Sequence, residues 1–349
     1  MSSERRTDNY QRNRARERRR RNRRIILVRS IVLVILLIAL ALLALFVYKK
    51  IKEMQITDWY DEAAGFKRII SVDKQIDELP VYASEKTVIS HESTDEAFTA
   101  GAGLVVKTGG GSDSWAFNPY ERLNPASTTK VMTALLAIKY ADLTDQVTIT
   151  EGAMIDEPGA SLAGLKVGDT YALRQLLYGL MLPSGNDAAA AIAIHMCGSV
   201  EAFADLMNEE ASKLGCVDTH FTNPHGITDE NHYTSAYDLY LMLDEAMKYD
   251  EFLEICQTKS YTAEYYDNMG LAQSKTWKNS NKYVNGDREL LPGLEVVAGK
   301  TGTTVAAGNC LVLGTAESSG DTYISIVLNA ATRPVCYDNM DFLLQKIYN

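Results

Sequence analysis

Hydrophobic positions fall along this chain in runs of different period, and the first run is the longest. Residues 31–48 pass without a charge. As a helix those eighteen residues rise roughly 27 Å at about 1.5 Å per residue, close to the hydrocarbon thickness of a bilayer. Residues 25–28 add apolar length upstream, and the intervening Arg29 can turn its head to the interface. Residues 49 to 92 scatter Trp59, Tyr60, Phe66, Ile69 and Ile70 among charges without sustained periodicity, the pattern of a stalk or spacer. From Ala97 onward the pattern tightens. Residues 98–106 read as a strand, Gly109-Gly110-Gly111 as a turn and residues 114–117 as a return strand. A helix is predicted from Asn124-Pro125-Ala126-Ser127, with Asn as N-cap and Pro in the first turn. It runs through Ile138 and is apolar on nearly every face, which marks a buried helix.

Further helices are predicted over 172–182, 188–197 and 200–214, with Gly198-Ser199 between the last two and Gly215 closing the third. The end of the chain returns to strands, at 294–298, 310–315 and 323–328, followed by a helix around 337–347. Strands at both ends with helices between predict one mixed α/β domain, an α+β arrangement whose antiparallel sheet is assembled from the two sequence termini and flanked by helices, with a helix-rich middle as a subdomain. There is no internal repeat.

Charge changes the picture by its distribution. Residues 1–50 hold 14 of the 35 Lys and Arg and three of the 45 acids, which leaves 21 bases against 42 acids beyond residue 50. Twelve arginines ahead of the apolar run predict a cytoplasmic arm at 1–24, a single transmembrane signal anchor at 25–48, a juxtamembrane stalk at 49–94 and an extracytoplasmic domain at 95–349. Cleavage is disfavoured because the one Ala-x-Ala of the first 50 residues, Ala39-Leu40-Ala41, lies inside the apolar run. Arginines packed against a membrane span are explained by topology, so no nucleic-acid partner is expected. Cys197, Cys216, Cys256, Cys310 and Cys336 are widely spaced, with no Cys-x-x-Cys and no accompanying His pair, so neither a metal site nor a cofactor is expected.

The candidate chemistry begins at Ser127-Thr128-Thr129-Lys130, which puts a hydroxyl and an amine on one helix face. A Ser–Lys pair is a complete nucleophile and base when the lysine is neutral. That requires a downward shift of roughly three units from about 10.4, or about 4 kcal/mol, which burial and a second nearby cation can supply. Ser184-Gly185-Asn186 lies in the break between two predicted helices, where a hydroxyl and an amide can face a cleft. Lys300-Thr301-Gly302 follows the strand at 294–298 and starts another; an edge strand there can pair with an extended peptide while Gly302 permits close backbone approach. The earlier Lys107-Thr108-Gly109 runs into Gly110-Gly111 upstream of Ser127 and is read as a hairpin turn. His195, His225 and His232 are read as structural, and no Gly-x-Ser-x-Gly supports a Ser-His-Asp triad.

With these three clusters in this order, residues 95–349 resemble the low-molecular-weight penicillin-binding proteins, the serine D-alanyl-D-alanine carboxypeptidases of the β-lactamase/transpeptidase-like superfamily, whose signatures are Ser-x-x-Lys, Ser-x-Asn and Lys-Thr-Gly. Flanking words agree: Asp187-Ala188, Met207-Asn208, Phe221-Thr222-Asn223-Pro224-His225-Gly226 and Asn281. The resemblance implies that Ser127 is the acylated nucleophile, Lys130 its base and Ser184 a relay toward the leaving D-alanine. It implies that Asn186 holds the substrate peptide and orients Lys130, and that Lys300, Thr301 and Gly302 hold the substrate and its carboxylate. The backbone N–H groups of Ser127 and Thr303 would form an oxyanion hole. The implied partners are a peptidoglycan stem peptide and β-lactam antibiotics as covalent inhibitors, with the membrane reached through the N-terminal helix. This sequence departs from the family in placing Gly299 directly before Lys300, and many relatives continue into a C-terminal β-rich domain and amphipathic helix, which leaves anchoring to the N-terminal span. The alternatives are a serine β-lactamase, against which stand Gly185 in the second cluster and the lack of a Glu-x-x-Leu-Asn water activator after Ser184, and a non-catalytic β-lactam-sensing or wall-binding module.

Overall fold

The computed structural model describes residues 96–109 and 114–348. The arm at 1–24, the anchor at 25–48 and the stalk at 49–94 lie outside the described residues. Within them, nine strands and eight α-helices follow in the order β1 (Ala102–Lys107), β2 (Ser114–Phe117), α1 (Lys130–Tyr140), β3 (Gln146–Thr148), β4 (Thr170–Ala172), α2 (Leu173–Met181), α3 (Asn186–Cys197), α4 (Val200–Leu214), α5 (Ala236–Ala246), α6 (Asp250–Gln257), β5 (Ser260–Tyr266), β6 (Ala272–Lys278), α7 (Lys282–Asn285), β7 (Leu294–Thr304), β8 (Gly308–Glu317), β9 (Thr322–Ala330) and α8 (Arg333–Gln345).

The main sheet runs β2-β1-β9-β8-β7, antiparallel throughout, so the two sequence termini of the domain do meet. Its centre is buried on both faces, which explains why β1, β8 and β9 read as nearly continuous apolar runs rather than as alternation. Leu104, Val312 and Ile326 pack on one face with the central helices; Val105, Leu311 and Val327 pack on the other with Tyr337, Met340 and Leu343 of α8. Ordinary capping sets several helix ends. Ser199 accepts from the Ala202 N–H at 3.1 Å, Ser235 from Asp238 at 3.1 Å and Thr332 from Val335 at 3.3 Å. Gly198 and Gly215 terminate α3 and α4 in the left-handed conformation.

Four expectations are corrected. A second antiparallel sheet, β3-β4-β5-β6, was not foreseen, nor were α5 and α6. Its long strands β5 and β6 are largely solvent-exposed and rich in Thr, Ser, Lys and Tyr, so they lack the apolar periodicity that reveals a strand. The predicted helix at 124–138 begins as a 3-10 turn, Ala126–Thr129, that widens into α1; Asn124 does not cap it but donates to the carbonyl of His232 at 3.0 Å. The two strands expected on either side of Gly299 are one strand, β7, with an irregularity between Val296 and Ala298. Asn186 is the first residue of α3 rather than part of the break before it.

Candidate active site

Ser127 is half-buried between buried neighbours at the end of the domain where α1 meets β7. The turn that presents it is unusual, because Ala126 sits at φ 48°, a region costly for a residue with a Cβ. Packing enforces it. Gly226, itself at φ 85°, leaves no space for a side chain against the Ala126 carbonyl, and Thr128 Oγ1 and Thr129 Oγ1 donate to the Pro125 and Ala126 carbonyls at 2.7 and 2.8 Å. Thr129 Oγ1 also lies 2.9 Å from His232 Nε2, and His232 Nδ1 accepts from the Thr222 N–H at 3.1 Å. That pattern makes His232 a neutral Nε2–H donor, and burial holds its pKa down at about 4. His225 is likewise buried, at about 3. Both histidines are therefore structural, as read, yet the backbone carbonyl of His225 enters the site.

One turn beyond Ser127, Lys130 is fully buried and its Nζ lies 2.8 Å from Ser127 Oγ, 2.7 Å from Asn186 Oδ1 and 2.7 Å from the His225 carbonyl. Burial pushes the Lys130 pKa well below the usual lysine range, the Lys300 cation adds to this, and Asp187 opposes it. Ser184 adopts φ 64° so that its Oγ turns toward β7, where Lys300 Nζ donates to it at 2.8 Å. Lys300 is 1% exposed and also donates to the Thr301 carbonyl at 2.9 Å; burial brings its pKa down to about 7, against a small opposing effect of the Cys256 thiol. The three clusters, far apart in sequence, are thus brought together: Lys130 of the first reaches Asn186 of the second, and two residues before it Ser184 is held by Lys300 of the third.

Among the described residues the strand β7 is an edge of the main sheet, with β8 as its paired neighbour and no strand beyond. At Gly302 it passes directly by Ser127: a Cβ there would stand 3.0 Å from both Ser127 N and the Pro125 carbonyl. Thr301 is half-buried and Thr303 exposed along this edge. The residue before Lys300 also has a reason to be glycine, since a Cβ on Gly299 would lie 3.0 Å from Asn281 Nδ2. Sequence reasoning missed Ser280, whose exposed Oγ stands 3.1 Å from Thr301 Oγ1, and Thr228, which bridges to Thr304 Oγ1 at 3.1 Å. A lone serine or threonine in a loop carries no signal. Among the described residues no group of three His, Cys, Asp or Glu is disposed to hold a metal, and Cys216, Cys256, Cys310 and Cys336 are in no disulfide.

An antiparallel sheet covered by helices on both faces, with a buried Ser–Lys pair beside its free edge, is the architecture of the DD-peptidases. The crystal structure of the Streptomyces K15 DD-transpeptidase matches 74% of this chain and 99% of its own at a TM-score of 0.66 and 31% identity. A family model described as D-alanyl-D-alanine carboxypeptidase, Peptidase_S11, matches residues 89–332, and the chain belongs to that family. Its relatives include the D-alanyl-D-alanine carboxypeptidase of Streptomyces sp. K15, 34% identical over 255 residues. They also include D-alanyl-D-alanine carboxypeptidase DacF of Bacillus subtilis, 33% identical over 246 residues. These matches take in 69% of this chain each, and 84% and 60% of the respective relatives' lengths.

Proposed function

We propose that this protein removes the terminal D-alanine from peptidoglycan stem pentapeptides through an acyl-enzyme on Ser127, with Lys130 as the base. The observation that carries the reading is the set of partners around Lys130 Nζ. Asn186 Oδ1 and the His225 carbonyl can only accept hydrogen bonds, so of the three partners only the Ser127 hydroxyl has a proton to give. A neutral amine spends its two N–H groups on those acceptors and turns its lone pair to Ser127. Burial and the Lys300 cation favour that neutral form.

In the proposed sequence Ser127 Oγ attacks the carbonyl carbon of the penultimate D-alanine while its proton passes to Lys130 Nζ. The carbonyl oxygen becomes an anion facing the Ser127 and Thr303 backbone N–H groups. As the C–N bond breaks, the proton taken up by Lys130 passes by way of the Ser184 hydroxyl, itself held by Lys300, to the departing D-alanine nitrogen. Lys130 is thereby left neutral, to take a proton from the water that follows and return it to Ser127 Oγ. Water then attacks the Ser127 ester, returning the hydroxyl and freeing the shortened peptide. Gly302 lets the substrate backbone lie along β7, and the half-buried Thr301 offers its hydroxyl to the terminal carboxylate. Lys300 acts on that carboxylate by its charge, because its three N–H groups lie in the interior and two are already engaged.

The same acyl-enzyme serves hydrolysis and transfer, and relatives from Streptomyces K15 carry both names. A β-lactam would acylate Ser127 and stay. Residues 25–48 would hold the domain on the outer face of the cell membrane, facing its polymer substrate.

The test is release of free D-alanine from a peptide ending in D-Ala-D-Ala by wild type and Ser127→Ala, together with intact mass after penicillin. Release that depends on Ser127 and a persistent penicilloyl adduct are expected. Equal release by both proteins sinks the catalytic claim, and rapid penicillin turnover without an adduct would turn the reading to a β-lactamase.

A further inference from the structure

Asp187 is 3% exposed and lies one residue beyond Asn186, yet among the described residues no cation is hydrogen-bonded to its carboxylate. Instead it is caged by main chain. Its Oδ1 accepts from the Ala163 N–H at 2.7 Å and the Ala188 N–H at 3.0 Å; its Oδ2 accepts from Gly164 at 2.7 Å and Leu165 at 2.9 Å. Burying an ionised carboxylate costs several kcal/mol unless its lone pairs are filled in this way. The loop so gripped is fastened again from its other side, where Trp277 Nε1 donates to the Ala163 carbonyl at 2.9 Å and Lys275 Nζ to that of Gly164. It also meets the site directly, for the Asn186 N–H donates to the Ser161 carbonyl at 2.8 Å.

We infer that Asp187 is a positioning residue for the reaction: it clamps the 161–165 loop onto the Ser184–Asn186 turn and places a fixed negative charge behind Lys130. This rests on the reading of Ser127 and Lys130 given above. The charge matters because the titratable groups facing Lys130 otherwise disfavour its protonated form or carry no charge, Lys300 from β7 and neutral His225 and His232 from the segment between α4 and α5, so that only the uncharged acceptors Asn186 Oδ1 and the His225 carbonyl stand with Asp187 in its favour. On its far side Asp187 faces Lys275 of β6, Tyr171 of β4 and, beyond, Asp169. By opposing the depression of the Lys130 pKa, Asp187 keeps the amine basic enough to take the Ser127 proton.

The experiment measures second-order acylation of Ser127 by a fluorescent penicillin against pH, in the full chain, for wild type, Asp187→Asn and Asp187→Glu, with thermal melts alongside. In Asp187→Asn the carboxamide nitrogen faces two N–H donors, so the clamp loosens, and plateau acylation falls roughly tenfold to a hundredfold. Loss of the charge moves the acid limb of the profile down by about half a unit to one unit. Asp187→Glu displaces the group but keeps its charge, so its plateau falls while its limb stays with wild type; it supplies the test if the Asn variant does not fold. An unmoved limb in a folded Asp187→Asn, or a plateau loss no larger than the loss of folded protein, overturns the proposal. A wild type that is not acylated at Ser127 at all would instead refute the underlying functional reading.

Discussion

Gly185 is the position where a single methyl group tests the geometry of the site most cleanly. Its φ is −61°, which any residue adopts, so alanine brings no backbone strain of its own. The obstacle is space: a Cβ there would lie 2.7 Å from Ala163 N, Ala163 Cβ and the Gly179 carbonyl oxygen, against 3.4 Å where ordinary contact begins. Two of the three obstacles are main-chain atoms of well-anchored elements, so the shortfall of about 0.7 Å falls on the Ser184–Asn186 turn. Overpacking of this size costs about 1–3 kcal/mol, which a domain of ordinary stability survives. Catalysis is less tolerant, since a misplacement of about 1 Å costs on the order of 10²-fold. Both Asn186 Oδ1, 2.7 Å from Lys130, and Ser184 Oγ, 2.8 Å from Lys300, ride on the displaced turn. Gly185→Ala is therefore expected to fold, with a melting temperature lowered by several degrees, and to lose at least about tenfold in kcat/KM for D-alanine release and in penicillin acylation. A folded Gly185→Ala that acylates at the wild-type rate would refute the claim that this turn is rigidly seated and sets the site.

Two further outcomes concern pH. His232 is neutral in the fold with its pKa held down at about 4, against an ordinary 6.5, so the unfolded chain binds more protons between those values and stability is lost as pH falls from about 6.5 toward 4. The loss from this group is on the order of 3 kcal/mol, and urea unfolding of His232→Gln should show a shallower decline over that window; an unchanged slope would mean that the ring is not locked as described. Lys300 is held at about 7 against 10.5, so here too the unfolded chain carries more protons, and stability should rise with pH across about 7 to 10.5. In Lys300→Met that rise should be smaller by up to roughly 1.4 kcal/mol per pH unit, and acylation should collapse; equal slopes in the two proteins would contradict the lowered pKa of Lys300 in the fold.

How much of this was legible beforehand follows from what each feature depends on. Strands β1, β8 and β9 and helices α1 and α3 were readable because burial on both faces, or nearly all round, forces apolar residues into consecutive positions that composition reveals. The second sheet escaped because β5 and β6 spend few apolar residues and owe their pairing to each other. Ser127, Lys130, Ser184, Asn186, Lys300 and Thr301 were legible as residue types in an ordered motif. Ser280, Thr228 and the His225 carbonyl were not, since a main-chain acceptor or an isolated hydroxyl leaves no trace in residue identity.

Sequence alone determined the chemical inventory: one hydroxyl and one amine a helical turn apart, a second serine with an amide, and a lysine on a glycine-bounded strand. Tertiary structure decided their protonation and their pairing. Lys130 loses basicity because folding strips water from it and brings Lys300 within electrostatic reach, and Lys300 finds Ser184 across 116 positions of chain. Neither effect belongs to a residue by itself; both arise from the low dielectric and fixed distances that exist only once the sheet has closed.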